Sequence, residues 1–340
     1  MTTTYGREAA SPPLRSTAEE KECAVSIIIC TYNRAHSLHQ TLKSLSAMSG
    51  PTPFVWEVLV VDNNSGDNTS NTVSLFSREA SINVRYVFED RQGLNHARNA
   101  GVKEAKGDLL FFLDDDVEVT THWLTEMKKA FDTYPVVGVG GRVLLKRDLQ
   151  KPRWWNEEYD GALGKFDNGD EIILSDDTYS SIIGIGANLS FKRSVFEQYG
   201  FFLTNLGRRK RKLLMGEDVE FAQRLKAAGE LTMYYPAALV YHCPEVSRFT
   251  KWYLRRWYFR IGEWEAQKFA LAANGASPMF PAPKWRYRLT MEQLVKTFVS
   301  FFTWQQDRRF YHELQFLSSL GYFFGLLKSS LRMFSLPDKY

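Results

Sequence analysis

Residues 107–117, GDLLFFLDDDV, decide the fold of this chain. Five apolar residues, 109–113, are followed at once by three adjacent aspartates. A short apolar run without polar alternation is typical of a strand buried on both faces of a sheet. Three neighbouring carboxylates repel one another when ionised, so they need a cation or hydrogen-bond donors close by. The segment therefore predicts a buried strand that delivers acidic side chains to one edge of a sheet.

Similar apolar runs precede this strand, and helical patterns separate them. The predicted strands cover residues 25–30, 57–61 and 84–88, and the predicted helices cover residues 34–48, 68–78 and 95–106. This alternation predicts an α/β fold with a mostly parallel, Rossmann-like central sheet and right-handed crossovers. Ligands of such sheets bind beyond the carboxyl ends of the strands. We therefore expect a site where polar residues follow these strands.

The pattern changes after residue 135. We predict strands at residues 136–145, 182–191 and 231–241, the last broken by Pro236, a helix at 217–228, and helices from residue 247 onward. The predicted organisation is a disordered tail (1–22), an α/β domain (23–245) and a C-terminal helical region (246–340). The domain divides into a nucleotide-binding half (23–117) and an acceptor-binding half (118–245).

Composition and missing motifs exclude several classes. The net charge of +4 over 340 residues does not identify a nucleic-acid binder, and no nucleic-acid-binding module is recognisable. Neither a GxGxxG motif nor a P-loop occurs, which argues against a dehydrogenase or a Walker-type NTPase. The three cysteines form no CxxC pair, and the N-terminus lacks a signal-peptide pattern. We expect a cytoplasmic protein without a spanning helix.

The aspartate triplet is a candidate metal site. Because neighbouring side chains in an extended segment point in opposite directions, Asp114 and Asp116 can face one site while Asp115 points elsewhere. Carboxylate oxygens suit Mg²⁺ or Mn²⁺, and a solvated acidic turn is the alternative. His242, at a predicted strand end, can complete a Mn²⁺ site, although a lone histidine is more often structural.

Other candidate residues also follow strands or begin helices. Asp62 can accept a hydrogen bond from a nucleoside, or can simply form a turn. Arg98 lies in the first turns of a helix and can contact a base or a phosphate. Glu217 and Asp218 open another helix, where one acid can point into a cleft or both can offset the helix dipole. The adjacent Trp154 and Trp155 can stack on sugar rings or pack in a core.

These segments, in this order, resemble the family 2 glycosyltransferases, which have the GT-A fold. The matching segments are residues 25–34 (VSIIICTYNR), 60–65 (VVDNNS), 93–101 (GLNHARNAG), 107–117 (GDLLFFLDDDV), 184–193 (GIGANLSFKR) and 216–218 (GED) with Arg224. The resemblance covers about residues 24–245. It implies an inverting enzyme that moves a sugar from a nucleoside-diphosphate donor, with UDP expected at the family level, to an acceptor hydroxyl in polysaccharide or glycolipid synthesis.

The resemblance also implies residue roles. Asp218 would be the catalytic base, and Asp116 would bind the metal with His242. Acceptor binding would involve Glu217, and the two adjacent tryptophans lie where acceptor specificity usually varies. The nucleotide-binding residues would be Thr31, Tyr32, Arg34, Asp62, Arg98, Asp114 and Asp115. Processive members carry QxxRW, but Tyr253 stands in the glutamine position here, so we predict transfer of a single sugar.

Two other functions are alternatives to glycosyl transfer. A sugar-nucleotide-forming nucleotidyltransferase usually needs a Gly-rich, basic loop after the first strand, and residues 31–34 (TYNR) do not provide one. A non-catalytic nucleotide-sugar-binding protein would not need both Asp116 and Asp218. The presence of both therefore favours catalysis.

The C-terminal region combines basic and aromatic residues at 247–268, and residues 314–327 form an uncharged run of 14 residues. This run is too short to span a bilayer but suits an interface. We predict peripheral attachment to an anionic membrane surface on the cytoplasmic face, with a glycan or lipid-linked acceptor. A helical subdomain or a dimer interface is the alternative. The basic run at 208–212 predicts a mobile lid or a solvated loop.

Overall fold

The computed structural model describes residues 23–48, 52–175, 184–204, 216–272, 282–303 and 306–333. The predicted tail and the basic run at 208–212 lie outside these residues. The strands are β1 (Cys23–Thr31), β2 (Val55–Asp62), β3 (Val84–Phe88), β4 (Leu109–Asp114), β5 (Val117–Val119), β6 (Gly138–Leu145), β7 (Ile173–Leu174), β8 (Asn188–Lys192) and β9 (Thr232–His242). The α-helices are α1 (Ala35–Ser46), α2 (Thr69–Glu79), α3 (Leu94–Glu104), α4 (Trp123–Thr133), α5 (Ser194–Tyr199), α6 (Glu217–Ala227), α7 (Lys251–Ala272), α8 (Lys284–Phe302) and α9 (Gln306–Met333). Short 3₁₀ helices occupy Glu157–Leu163 and Val246–Arg248.

All of these strands belong to one sheet with the order β3-β2-β1-β4-β8-β6-β9-β5, and β7 pairs with β9. The strands β3, β2, β1 and β4 run parallel to one another, as predicted. In the second half, β8 runs antiparallel to both β4 and β6, whereas β6 and β9 are parallel. The predicted α/β class with a mostly parallel central sheet is confirmed. The single sheet continues through both predicted halves of the domain.

Burial on both faces explains why β1 and β4 are continuously apolar. Ile27 and Ile29 belong to a core that also contains buried residues of α1 and α4. Ile28 points to the opposite face, where it joins buried residues of α3, α5 and α6. Residues 109–113 divide between the two cores in the same way. The apolar residues of these strands therefore divide between two hydrophobic cores.

Strand register brings the predicted polar positions to one edge. Thr31 at the end of β1 pairs with Asp62 at the end of β2. On the other side of β1, Cys30 pairs with Asp114 at the end of β4. The three strands are parallel, so their carboxyl ends lie side by side. The location of the site at this edge follows directly from the sheet topology.

The prediction that Pro236 breaks the ninth strand is wrong. Gly141 pairs with Tyr235 and the next residue, Arg142, pairs with Leu239, so residues 236–238 form a bulge within a continuous β9. A proline fits a bulge because no ladder partner needs its missing N–H. The Asn188 side chain donates a 2.7 Å hydrogen bond to the carbonyl of Ala238 in this bulge. The strand then continues to residue 242.

Three long helices follow the sheet, in agreement with the prediction for residues after 247. Close contacts join α7 and α9: a Cβ at Gly262 would meet the Ser318 carbonyl oxygen, and one at Gly321 would meet that of Phe259. Helix α8 packs on α9, where the Tyr287 and Phe323 ring centroids are 5.1 Å apart. Across the described residues, none of the helices has the length and apolar character needed to cross a membrane.

Glu57 anchors the sheet at the end opposite the site, and its removal should lower stability. One carboxylate oxygen accepts hydrogen bonds from the Ser26 hydroxyl (2.7 Å) and the Lys106 N–H (2.8 Å), and the other accepts from Arg85 (2.8 Å). Burial favours a higher pKa for Glu57, but Arg85 and the other donors outweigh it and lower that pKa below its ordinary 4.5. The stabilisation is therefore fully present above the ordinary pKa and is lost as pH falls through the lowered value.

We expect Glu57→Gln to reduce the free energy of unfolding by about 1–3 kcal/mol near neutral pH. Urea denaturation near neutral pH and in acid measures the effect, and the difference from the wild type should shrink in acid. Glu79→Gln on the exposed side of α2 is the matched control and should change little. A pH-independent difference would contradict the assigned role of the charge.

Candidate active site

A cavity of about 460 Å³ opens at the carboxyl edge of the sheet. Its walls come from the ends of β1, β4 and β9, the N-terminal turns of α3 and α6, and one face of α7. The structure brings eight predicted site residues to this cavity: Thr31, Tyr32, Arg34, Arg98, Asp114, Asp115, Asp218 and His242. The predicted base Asp218, the predicted metal ligand His242 and most of the predicted nucleotide-binding residues thus line one cavity, although they come from distant segments.

Within the aspartate turn, the Asp115 carboxylate contacts the end of β1, and it shares Arg34 Nη1 with Asp116. Its carboxylate accepts hydrogen bonds from the Thr31 hydroxyl (2.7 Å) and from Arg34 (2.9 Å). Burial raises the pKa of Asp115, and Asp116 adds to that increase, while Arg34 opposes it. In this arrangement Asp115 positions Thr31 and Arg34 at the cavity wall. Its direct contact with nucleotide stays a prediction.

Asp114 and Asp116 face a common point together with His242. The alternation of an extended chain is not the reason, because residues 115 and 116 form a turn between β4 and β5. One ligand atom from each of the three lies within 4.8 Å of the other two. Two carboxylate oxygens and one imidazole nitrogen form a donor set that suits Mn²⁺. Cis ligands around an octahedral ion with bonds of about 2.1 Å lie about 3.0 Å apart. The Asp116 Oδ1 to His242 Nε2 distance of 3.1 Å matches that spacing.

Asp116 is held ionised by its surroundings. Its other oxygen, Oδ2, lies 2.8 Å from Arg34 Nη1 and 3.4 Å from Arg248 Nη2. Burial alone favours a raised pKa for Asp116, but His242, Arg248 and Arg34 outweigh it and hold that pKa well below its usual range. The carboxylate is therefore available as an anionic ligand without prior loss of a proton.

His242 reaches this position because β9 pairs with β5 beside the aspartate turn, with Val117 opposite His242. Its Nδ1 atom is buried and has no hydrogen-bond partner among the described residues. A Cβ at Gly164 would lie 3.4 Å from the imidazole, so a glycine leaves the ring uncrowded. These observations fit a metal-ligating role, and the residues present suit a divalent cation.

Asp218 also lines the cavity, and both of its carboxylate oxygens accept hydrogen bonds. Arg98 Nη1 donates to Oδ1 at 2.7 Å, and the Gly186 N–H donates to Oδ2 at 2.8 Å. The Arg98 guanidinium also lies 5.4 Å from the centroid of the Phe202 ring. The carboxylate is thus fixed in orientation at the start of α6. Arg98, predicted to hold the nucleoside base, contacts the predicted catalytic acid, and its contact with nucleotide stays a prediction.

Gly186 permits this arrangement, and we expect Gly186→Ala to disrupt it. An added Cβ would lie 1.9 Å from Arg98 Nη2 and 3.2 Å from Asp218 Oδ2, so the ion pair must move. Because misplacing a catalytic group by about 1 Å can cost about 10²-fold, kcat should fall by about that factor. Steady-state kinetics with a sugar-nucleotide donor provides the measurement.

Gly66→Ala is the matched control for this substitution, because a Cβ there would meet only Asn33 Oδ1 at 4.0 Å. That variant should retain its turnover. Equal kcat values for the two glycine variants would contradict a requirement for this geometry.

Asp62 lies at the same sheet edge but outside the cavity wall. It is buried and accepts hydrogen bonds from the Ser65 N–H (2.9 Å) and the Tyr86 hydroxyl (2.8 Å). The first bond closes the turn after β2, which was the alternative reading of this residue. Its neighbour Asn63, absent from the predicted set, does line the cavity and accepts from the Gly93 N–H at 2.7 Å. The nucleoside role of Asp62 stays a prediction.

Trp154 and Trp155 lie away from the cavity wall, beside the C-terminal helices. The Trp155 ring packs on Tyr159 and Phe249, and its Nε1–H donates to Asp160 at 2.9 Å. The Trp154 ring meets Phe310 edge to face. These contacts correspond to the core-packing alternative, and the acceptor role of both tryptophans stays a prediction. Glu217 begins α6, and its side chain lies outside the described part of the chain.

A face of α7 forms a cavity wall that the sequence analysis missed. Trp257, Ile261 and Trp264 line it at intervals of four and three residues. The helical spacing of two indoles is the signal that could have revealed this face. Gly216, at φ +99°, lets α6 approach it, since a Cβ there would lie 1.9 Å from Trp264 Nε1. Arg248 was also missed, and no local pattern distinguishes it.

Comparisons with known proteins show the family of this chain. The family model described as glycosyl transferase family 2 matches residues 26–200, just over half of the chain. A succinoglycan biosynthesis protein, ExoM, of Rhizobium meliloti (strain 1021) is 28% identical over 253 residues, covering 74% of this chain and 77% of that protein. A glucosyl-dolichyl phosphate glucuronosyltransferase of Haloferax volcanii is 28% identical over 225 residues, covering 64% and 68%.

Among solved structures, a mannosyltransferase from Pyrobaculum calidifontis in complex with GDP-Man and Mn²⁺ has a TM-score of 0.55. It is 18% identical, and the match covers 96% of this chain and 81% of that one. This likeness shows the GT-A fold. The chain belongs to glycosyl transferase family 2, and it is a glycosyltransferase.

Proposed function

We propose that this enzyme transfers a single sugar from a nucleoside-diphosphate sugar to an acceptor hydroxyl, with inversion at the anomeric carbon. The observation that carries the proposal is that one cavity contains two groups of candidate residues. Asp114 and His242 line it and converge with Asp116 on a common point, and Asp218 lines the same cavity. A metal-binding group and a general base are what a direct displacement of a diphosphate requires.

The proposed reaction is a single displacement. The Asp218 carboxylate accepts the proton of the acceptor hydroxyl as that oxygen bonds to the anomeric carbon, and the bond from this carbon to the diphosphate oxygen breaks. The bonding electrons leave with the nucleoside diphosphate, so no acid is needed to protonate it. Arg98 and the Gly186 N–H hold Asp218 in one orientation during the step.

A divalent cation, Mn²⁺ or Mg²⁺, would be held by Asp116 and His242 together with Asp114. When bound, it supplies a positive charge that stabilises the departing diphosphate. Arg34 and Arg248 keep Asp116 ionised and add positive charge beside it. The Mn²⁺ bound to the mannosyltransferase neighbour supports this assignment.

On the acceptor side, the two indoles of α7 offer flat apolar faces against which a sugar ring can pack. A lipid-linked or glycan acceptor is supported by relatives whose names include a dolichyl phosphate and an undecaprenol pyrophosphate. We propose UDP-sugars as donors, in line with the sequence-based expectation. GDP-sugars are the alternative donors to test beside UDP-sugars, because the mannosyltransferase neighbour binds GDP-Man. A cytoplasmic, membrane-peripheral location stays a prediction.

A donor screen tests the proposal. The protein is incubated with UDP- and GDP-sugars, Mn²⁺ and a mixture of lipid and oligosaccharide acceptors, and release of nucleoside diphosphate is followed together with the product anomer by NMR. The proposal expects release with one donor class and a product of inverted configuration. A retained configuration would reject direct displacement, and release of pyrophosphate from a nucleoside triphosphate would favour a nucleotidyltransferase.

A further inference from the structure

Helix α8 has its polar and apolar faces reversed relative to an ordinary surface helix. The side turned toward the protein is polar and carries Arg286, Thr290, Gln293, Thr297 and Ser300, which are buried or half-buried. These positions follow one another at intervals of four and three residues, so they form one helix face. In a soluble globular protein the inward face of such a helix is normally the apolar one.

Arg286 holds the inward face of α8 against the other C-terminal helices. It pairs with Glu265 of α7 at 2.5 Å, and its guanidinium lies 4.0 Å from the centroid of the Tyr322 ring of α9. The hydroxyls of Thr290 and Thr297 donate to backbone carbonyls of their own helix at 2.8 and 2.7 Å. The contacts of Arg286 therefore fix the orientation of α8 near its N-terminal end.

The opposite face of α8 is apolar and exposed. We call it the outward stripe, defined by Met291, Leu294, Val295, Phe298 and Phe302. Phe298 is 62% exposed and Phe302 is 75% exposed, and their ring centroids are 5.0 Å apart. A contiguous patch of this kind marks an interaction surface, whereas isolated exposed apolar residues do not.

Cations surround the outward stripe. Helix α8 contains four basic residues and a single acid, Glu292, which pairs with Arg288 at 3.1 Å. Lys296 lies within the stripe's span, and Arg308 and Arg309 follow at the start of α9. The Arg309 guanidinium lies 3.6 Å from the centroid of the Phe301 ring. Burial and then the positive charges of Lys296 and Arg308 lower the pKa of His312.

This charge pattern distinguishes between two occupants. In a symmetric dimer formed through the stripe, the same basic residues of both copies would face each other, with few acids to compensate them. An anionic lipid surface instead offers an apolar layer for the stripe and phosphates for the surrounding cations. The helix also lacks the length and apolar character to cross a bilayer, so it would lie in the plane of the surface.

We infer that the outward stripe of α8 docks on an anionic membrane surface, with Phe298 and Phe302 inserted at the acyl boundary and Lys296 and Arg308 against lipid phosphates. Helix α8 packs on α9, α9 packs closely on α7, and α7 lines the active-site cavity. Docking therefore holds the acceptor side of the cavity in a fixed relation to the lipid surface. The inference names the surface that does the docking and does not depend on the identity of the sugar.

Vesicle flotation of the full-length protein tests the inference, using phosphatidylcholine alone and phosphatidylcholine mixed with phosphatidylglycerol. The wild type should float with the mixed vesicles at low salt, bind neutral vesicles far less, and dissociate in high salt. Phe298→Glu should weaken binding to the mixed vesicles at least about tenfold. Lys296→Glu should weaken it by about thirtyfold at low salt, since it reverses one charge.

Two control variants are matched to these substitutions. Leu75→Glu changes an exposed leucine of α2, and Lys129→Glu changes an exposed lysine of α4, both away from the stripe. Both should bind vesicles like the wild type, and the melting temperatures of all four variants report correct folding. Equal flotation of Phe298→Glu and the wild type, or no flotation of the wild type, would overturn the inference.

Sedimentation without vesicles tests the rival occupant. A wild-type dimer that becomes monomeric in Phe298→Glu would assign the stripe to a second copy of the chain and overturn membrane docking. Release of nucleoside diphosphate with a soluble acceptor is measured in parallel. Because the stripe lies outside the cavity wall, this activity should be the same in Phe298→Glu, so failure of docking and failure of the proposed reaction are separable.

Discussion

Replacement of Asp218 by asparagine is expected to lower kcat by about 10³-fold or more while the donor still binds. An amide cannot accept the proton of the acceptor hydroxyl, so the general-base contribution is lost. Asparagine has nearly the same shape as aspartate, and the substitution leaves the proposed metal ligands Asp114, Asp116 and His242 unchanged. Single-turnover transfer measures the chemistry, and calorimetric titration with the donor and Mn²⁺ measures binding.

The surroundings of Asp218 call for a control, because Arg98 would lose the anion it contacts at 2.7 Å. Glu220→Gln, two residues further along α6, removes the carboxylate partner of Arg224 and makes the same change of charge in the first turn of the same helix. It should leave turnover within a few-fold of the wild type. Near-normal turnover of Asp218→Asn would reject Asp218 as the base, and loss of donor binding would instead assign it a structural role.

The second large effect concerns the metal ligands. We expect Asp114→Asn to weaken Mn²⁺-dependent binding of nucleoside diphosphate by about 100-fold or more. Loss of an outer-sphere partner typically costs 10–100-fold in metal affinity, and a direct ligand should cost at least as much. Calorimetric titration of Mn²⁺ in the presence of UDP or GDP provides the measurement. Asp90→Asn, at an exposed carboxylate after β3, is the control and should bind normally.

Asp116→Asn should be more damaging than Asp114→Asn, because Asp116 also compensates Arg34 and Arg248. Removing one partner of a buried charged group commonly costs about 3–5 kcal/mol of stability. Thermal unfolding should therefore show a lower melting temperature for Asp116→Asn but not for Asp114→Asn. Equal metal affinity in both variants and the wild type would contradict the assigned site.

The sequence predicted β1 to β4 and the edge at which they end, because both depend on local pattern, whereas the short strands β5 and β7 were not predicted. Residues 109–113 are apolar throughout because the strand is buried on two sides, and the following aspartates must then lie at its carboxyl end. These features need no knowledge of distant residues.

Contacts between distant segments were not predictable in the same way. Arg98 and Asp218 are 120 residues apart in the chain, and their pairing depends on how α3 and α6 approach each other. In the bulge at residues 236–238, the carbonyl of Ala238 accepts a hydrogen bond from the Asn188 side chain. No local pattern in the sequence indicates this contact. The α7 wall and the reversed polarity of α8 depend on which face each helix buries, and that is set by tertiary packing.

The central claim is that Asp114, Asp116 and His242 hold a divalent cation that binds the donor diphosphate. Crystals grown with Mn²⁺ and a nucleoside diphosphate, measured at the manganese absorption edge, test it most directly. We expect an anomalous peak between the two aspartates and the histidine, with diphosphate oxygens completing the coordination of the manganese ion. A peak elsewhere, or a diphosphate bound in the cavity without any peak among these three side chains, would contradict it.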